Sequence, residues 1–319
     1  MQFELMIDNG KDILVPLVAD GTTWTTDRKG APGKLTFTVL KDSILDFHEG
    51  NNVALTVDGQ PIFYGFVFTK KRDKRHHIAV TAYDQLRYLT NKDTMMYKNL
   101  TASGVIRVIA EDYRLSLGTI EETEFRIADR VEDNSSLFDI IYNALDLELT
   151  NKGKMYVLYD DFGKLTLKSL DSMKVNLLLD DETGENFDYS SSIDSDTYNR
   201  IKLSYDNKDT GKRDIYVAQD GSRINDWGVL QLYETLQEGE NGAAKADALL
   251  DLYNVKTRKL KVIKAFGDVR IRAGCMVIVK LGVGDMNVQN YMLIEKCVHT
   301  FNAGEHWMDL TLRGGEYIG

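Results

Sequence analysis

Apolar and polar positions alternate with a period of two through most of the first eighty residues. LMIDNG, ILVPLV, KLTFTVL, VALTVDG, IFYGFVF and HIAVTAY are short β-branched or alternating runs, separated by turn clusters such as Asp8-Asn9-Gly10 and Asp58-Gly59. Several short strands at this spacing predict a barrel or sandwich rather than a doubly wound sheet. The run from Asp84 to Leu89 then reads as a short helix leaving it.

Near Thr101 the period changes. Val105, Ile106, Ile109 and Ala110 fall at helical spacing behind Thr101 or Ser103 as N-cap. The device recurs after Ser136, where Leu137, Ile140, Ile141, Ala144 and Leu145 form one apolar stripe. KMYVLYDDFGKLTLKSL follows as two strands around a turn at Asp160 to Gly163. Residues 180–196 hold seven acids and no base, which reads as a solvated linker and places a domain boundary there. Beyond it come a hairpin with its loop at Asn207 to Lys212 and a strand near Val229 to Leu236. A helix at about 241–254 follows, with Ala246, Leu249, Leu250 and Tyr253 on one face, and strands run from Lys259 onward. The expected architecture is α+β and mainly β: two related β-barrel domains, 1–95 and 186–319, with a small α/β domain, 96–185, inserted between them.

The two outer regions resemble one another. Around Gly50 and again around Gly274, a Gly precedes an alternating strand, a polar turn leads to a second strand, and another turn leads to a third that starts at a His, His77 or His306. The match is one of pattern, with offsets of a residue or more.

Composition narrows the function. With 319 residues, 43% of them hydrophobic and 28% charged, the chain can bury more than one core and is not disordered. No run reaches the ~18 apolar residues of a membrane span, and the N-terminal segment lacks the basic flank and apolar core of a signal peptide. Two cysteines, Cys275 and Cys297, are too few for a disulfide framework and read as buried thiols of a protein assembled in a reducing cytoplasm. The net charge of −10 argues against tight nucleic-acid binding, which needs cations to neutralise phosphates.

Chemical motifs give way to structural readings. Asp161-Phe162-Gly163 spells a kinase metal-binding triplet without the accompanying loops, and reads as a hairpin turn. Asp209-Thr210-Gly211 spells an aspartic-protease triplet, but no second copy supplies the dyad and its loop wants Asp and Gly for turn geometry. Asp180-Asp181-Glu182 is a carboxylate cluster with no sign of converging on a cleft. Cys297, His299 and His306 share a strand face by parity, with Cys275 as the only further soft ligand. Zinc would want three or four such ligands at one point, and a hydrogen-bonded histidine pair fits the apolar neighbours better. The basic run Lys70-Lys71-Arg72-Asp73-Lys74-Arg75, followed by His76 and His77, lacks interleaved aromatics and reads as a solvated hairpin tip. No catalytic, metal-binding or cofactor-binding residue is assigned.

The order of several motifs is informative where each alone is weak. The run from Asp220 to Gln231 (DGSRINDWGVLQ) precedes an Ala-rich helix, then Gly267 to Gly274 (GDVRIRAG), then His299 with His306-Trp307-Met308-Asp309-Leu310. Upstream lie Tyr64-Gly65-Phe66-Val67 and the run Val80 to Leu86. This order resembles the hub proteins of contractile phage tails, particularly those of PBSX-type prophages and phage-tail-like bacteriocins. The resemblance implies a non-enzymatic baseplate component, a homotrimer in which two related barrels per chain make a pseudo-sixfold ring. Such a ring meets the sixfold tail tube protein on one side and the central spike protein on the other, with other baseplate proteins around it. It implies no cofactor, no membrane insertion, and a spike carried by a separate protein. Two other classes remain open at this point: a tail-associated cell-wall hydrolase and a glycan-binding module.

Overall fold

The computed structural model describes all residues except 181, 195, 208, 209, 237–239, 284, 285 and 315–319, and the backbone alone at 283 and 286–290. Strands dominate. The first β module contains β1 (Phe3–Asp8), β2 (Ile13–Leu14), β3 (Thr22–Asp27), β4 (Lys34–Leu40), β5 (Asn52–Val57), β6 (Gln60–Arg72) and β7 (His77–Tyr83). A 3-10 turn at Gln85–Thr90, capped by the Asp84 carboxylate on the Leu86 N–H, leads out of it. The middle unit holds β8 (Lys92–Leu100), α1 (Ala102–Asp112), β9 (Leu117–Ile120), β10 (Ile127–Ser136), α2 (Leu137–Lys152), β11 (Tyr156–Asp160) and β12 (Leu165–Ser169). Next come β13 (Lys174–Asp180) and β14 (Asn186–Ser192). A small unit follows, made of β15 (Arg200–Asn207), β16 (Lys212–Gln219), α3 (Gly221–Trp227), β17 (Gln231–Thr235) and α4 (Gly242–Tyr253). The chain closes with β18 (Thr257–Phe266), β19 (Met276–Val283), β20 (Met286–Asn302) and β21 (Glu305–Gly314).

The helices form where capping and stripe agree. Thr101 caps α1 by accepting from the Gly104 N–H, and Ser136 caps α2 by accepting from the Asp139 N–H. Val105, Ile106, Ile109 and Ala110 of α1 pack with Leu137, Ile140, Ile141, Ala144 and Leu145 of α2, over Leu158, Leu165 and Leu167 of the small three-stranded sheet β11-β12-β9. Separate apolar clusters fill the first module, the second β module built on β18–β21, and the small unit.

A 13-stranded sheet links the two β modules in the order β14-β18-β21-β20-β3-β4-β7-β6-β5-β1-β2, with β19 on β20 and β13 on β19. The hydrogen-bonded path is open at both ends. The acidic stretch expected to be a linker therefore contributes a strand: Asn186–Ser192 pairs antiparallel with Thr257–Ile263 of β18. Phe187 and Tyr189 turn toward the apolar cluster while the acids face water, so a strand alternation is hidden inside the charge run. Strand β3 was also absent from the alternating runs. Its sequence, TTWTTD, is rich in β-branched Thr, and Thr22, Trp24, Thr25 and Thr26 are all buried.

Candidate assembly surface

The two β modules repeat one another in detail. Within the first, the order is β3-β4-β7-β6-β5-β1; within the second it is β14-β18-β21-β20-β19-β13. In each, a glycine at positive φ opens the meander, Gly50 at 90° and Gly274 at 94°. The Gly50 N–H donates to the Val67 carbonyl at 2.7 Å and the Val67 N–H to the Asn51 carbonyl at 2.9 Å. The Gly274 N–H donates to the Ile294 carbonyl at 2.8 Å and the Ile294 N–H to the Cys275 carbonyl at 2.9 Å. Immediately after these anchors both long strands carry a bulge against their third strand, between Val67 and Thr69 and between Ile294 and Lys296. These anchors make Val67 equivalent to Ile294, and ladder pairing then makes His76, not His77, the counterpart of His306. One pairing differs: β1 runs antiparallel to β5, whereas β13 runs parallel to β19.

The modules are joined by β3 lying antiparallel along β20, with Thr22 to Asp27 opposite Phe301 to Lys296. Trp24 stacks on His299 with ring centroids 4.8 Å apart. At the open end of the junction, Arg28 Nε meets Glu295 Oε2 at 2.7 Å and Lys296 Nζ meets Asp27 Oδ1 at 3.2 Å. The Ala273 N–H donates to Thr26 Oγ1 at 2.9 Å, and Arg272 lies over the Trp24 and Tyr159 rings. Sequence reading missed the β3 side of the junction; the Thr-rich run flanked by Gly21 and Gly30 is the signal that could have found it.

The cysteine and histidine constellation sits at this junction and is filled by protein. His299 is wholly buried, with Nε2 at 2.8 Å from the Ile271 carbonyl and Nδ1 at 2.8 Å from His306 Nε2. A nitrogen facing a carbonyl carries the proton, so Nδ1 accepts from His306 Nε2–H. Both ring nitrogens are thus occupied, and Cys297 Sγ lies 3.2 Å from Nε2. Among the described residues, no group of three or more His, Cys, Asp or Glu is placed to hold a metal. Burial, then the neighbouring His306, pushes the His299 pKa down to about 3, and burial pushes His306 down to about 4. Burial raises both thiols, Cys297 well above its usual range. Gly267 is required beside this pair, because a Cβ there would lie 2.0 Å from the His306 ring.

Two buried carboxylates escaped the sequence reading. Asp84 accepts from the Gly33 and Leu86 N–H groups, and Asp160 from Gln85 Nε2 and the Gly163 N–H. Burial first and Asp160 second raise the Asp84 carboxyl, and burial raises Asp160, with Arg272 opposing both. Their hydrogen bonds go to the Gly33, Leu86 and Gly163 N–H groups and to the Gln85 side-chain amide, which is a structural use.

The other motifs are placed plainly. Asp161, Phe162 and Gly163 form the β11–β12 turn, with Phe162 against Tyr64 at 5.7 Å. Asp209 lies outside the described residues, as does Asp181; Gly211 closes the β15–β16 loop by donating to the Asn207 carbonyl. Lys70 to Arg72 end β6, and Asp73 holds the exposed tip by accepting from the Arg75 and His77 N–H groups. A cleft of about 1,330 Å³ opens between α2 and α4. Several of its acids are engaged with cations, Asp146 with Lys29, Glu122 with Arg107, Asp171 with Lys174, Glu240 with Lys245 and Glu295 with Arg28, while Glu121 accepts from the Ser169 N–H and Asp251 also lines it.

No helix among the described residues is long and apolar enough to cross a membrane. The fold has clear relatives. The chain superposes on the 43 kDa tail protein of prophage MuSo2 from Shewanella oneidensis with a TM-score of 0.71 at 12% identity, covering 99% of this chain and 100% of that one. It superposes on prophage tail protein gp18 from Listeria monocytogenes EGD-e with a TM-score of 0.66 at 13% identity, covering 98% and 94%. In sequence it is 31% identical to the phage-like element PBSX protein XkdQ of Bacillus subtilis over 309 residues, 92% of each chain. The YqbQ-like family profile matches residues 22–313. With that profile spanning both β modules and a relative this similar over nine-tenths of its length, the chain belongs to the YqbQ-like family and has the fold of prophage tail proteins.

Proposed function

We propose that this protein is the structural baseplate hub of a contractile phage tail. Three copies form a ring of six similar β modules that joins the sixfold tail tube to a central spike. The observation that carries the reading is the duplicated module: the same strand order, the same glycine anchor and the same bulge occur twice in one chain. Three chains then present six near-equivalent units, which reconciles a threefold spike with a sixfold tube. Residues 1–95 and 186–319 would be the ring-forming barrel domains, the second joined by β13, and the rest of 96–185 the outer insert, facing other baseplate proteins. Membership beside a PBSX protein and likeness to prophage tail proteins favour this role over a hydrolase or a glycan-binding module. The ring would need an obligate interface above ~2,000 Å². A net charge of −10 would keep passing nucleic acid from adhering to its lumen.

Light scattering on the purified chain, alone and with the separately expressed spike protein, tests the proposal. A trimeric mass in either condition is expected. A monomer in both would remove the ring and bring peptidoglycan hydrolysis and cell-wall glycan binding forward as the assays to run.

A further inference from the structure

We infer that β14 of one copy adds to the outer edge of β6 in the next copy, repeating between chains the β3–β20 pairing that joins the modules within one. The inference rests on the trimeric ring proposed above and supplies its contact.

The duplication carries the argument. Ladder pairing makes β14 the counterpart of β3: Thr25 and Ser190 both lie opposite the first Lys of the next strand, Lys34 and Lys259, while Trp24 and Tyr189 lie opposite Leu35 and Leu260. The shared anchors make β6 beyond Val67 the counterpart of β20 beyond Ile294, the stretch on which β3 lies. Within the chain β3 has a place on β20. Its counterpart β14 stands at the end of the sheet, and β6 from Phe68 to Arg72 pairs only with β7 among the described residues. One donor edge and one acceptor edge are therefore left over per chain, on different modules. Such a head-to-tail contact closes into a ring when the rotation between copies closes, here at three copies by the proposal above, and main-chain strand addition satisfies both edges at once.

Carrying the β3–β20 register across places Ser190 opposite Lys71, Tyr189 opposite Arg72 and Ser191 opposite Lys70. Tyr189 over the Arg72 guanidinium would then take the place of Trp24 over His299. Charge agrees with geometry. Strand β14 and the turn before it carry Glu182, Glu185 and Asp188, and the facing end of β6 and its hairpin tip carry Lys71, Arg72 and Lys74. Asp188 falls opposite Asp73, whose carboxylate is turned into its own hairpin by the Arg75 and His77 N–H groups, and it lies diagonal to Lys71 on the same face. The exposed charges of the acidic stretch and of the basic hairpin are thereby matched to each other, although Glu185 already meets Lys264 within the chain at 2.9 Å.

The test is disulfide trapping in the full chain. Ser190 and Lys71 are both exposed, and the native Cys275 and Cys297 are buried. The Ser190→Cys/Lys71→Cys variant, mildly oxidised with the spike protein present, should run as covalent dimer and trimer on a non-reducing gel. Each single variant should not, and Ser190→Cys/Arg72→Cys, which puts the thiols on opposite faces, should cross-link at least tenfold more slowly. Light scattering on the same samples separates the two ideas. A trimeric mass with cross-linking no faster than in the off-register control would overturn the strand pairing and leave the hub reading standing; a monomeric mass would overturn both.

Discussion

His299 is held by two hydrogen bonds that require a neutral ring, donating to the Ile271 carbonyl and accepting from His306. Its pKa falls from 6.5 to about 3 on folding, chiefly through burial. The sign follows from linkage: between those values the unfolded chain binds the proton and the folded chain does not, so stability present above pH 6.5 is lost as pH falls. At pH 5 the loss from His299 is about 2 kcal/mol, at 1.36 kcal/mol per pH unit. The raised carboxyls of Asp84 and Asp160 act oppositely, since their contribution is fully present below the ordinary carboxylate range and is lost as pH rises. The comparison must therefore be made between proteins and not only between pH values. We expect denaturant midpoints of the native chain to drop more from pH 7 to pH 5 than those of His299→Gln, although the variant is less stable at pH 7. Equal drops would show that the buried ring does not govern acid sensitivity.

At the scale of elements, packing decides which substitutions matter. Ile140 of α2 is fully buried between α1 and the small sheet, while Ile13 of β2 is 69% exposed. Ile140→Ala should cost 2–5 kcal/mol, in the range of about 2–5 for such core truncations, and Ile13→Ala should stay within about 0.5, both read as shifts in urea midpoint. Comparable losses would mean that the exposed β2 edge is packed in solution. The same contrast explains what the sequence disclosed. Helices α1 and α2 were legible because a capping Thr or Ser precedes a stripe at helical spacing, and the meanders β5-β6-β7 and β19-β20-β21 because their faces alternate. Strand β8 was not legible, because only Tyr97 along it is buried and no alternation survives. Strand β14 was masked by its acids and β3 by its threonines. The duplication showed as a pattern of glycines and turns, yet its register slipped by one residue at the histidines, because the hairpins joining the second and third strands differ in length and only the ladder pairing aligns the third strands. The β3–β20 junction joins positions about 270 residues apart, Asp27 with Lys296, and no local periodicity encodes such a pairing.

For the whole molecule, two electrostatic effects compete in assembly. Each chain carries −10, so three chains repel, while the acidic β14 edge and the basic β6 end attract across the inferred contact. Their ranges differ. Repulsion between whole subunits acts over tens of ångströms and is felt only when the Debye length is comparable, about 30 Å at 0.01 M salt. Contacting side chains still interact at the roughly 8 Å of 0.15 M and are largely screened at the roughly 3 Å of 1 M. Raising salt from 0.01 M should therefore first strengthen the trimer, by relieving repulsion, and then weaken it as the contact charges are screened. The dissociation midpoint in a dilution series followed by light scattering should pass through its lowest concentration near 0.1–0.2 M, on the order of the ionic strength where the two ranges cross. Lys71→Gln should reduce the weakening at high salt while nearly preserving the low-salt limb, because it removes a contact cation and changes the subunit charge only from −10 to −11. A trimer that tightens monotonically to 1 M salt would instead assign its stability to apolar burial, with the charge match contributing little beyond steering the encounter.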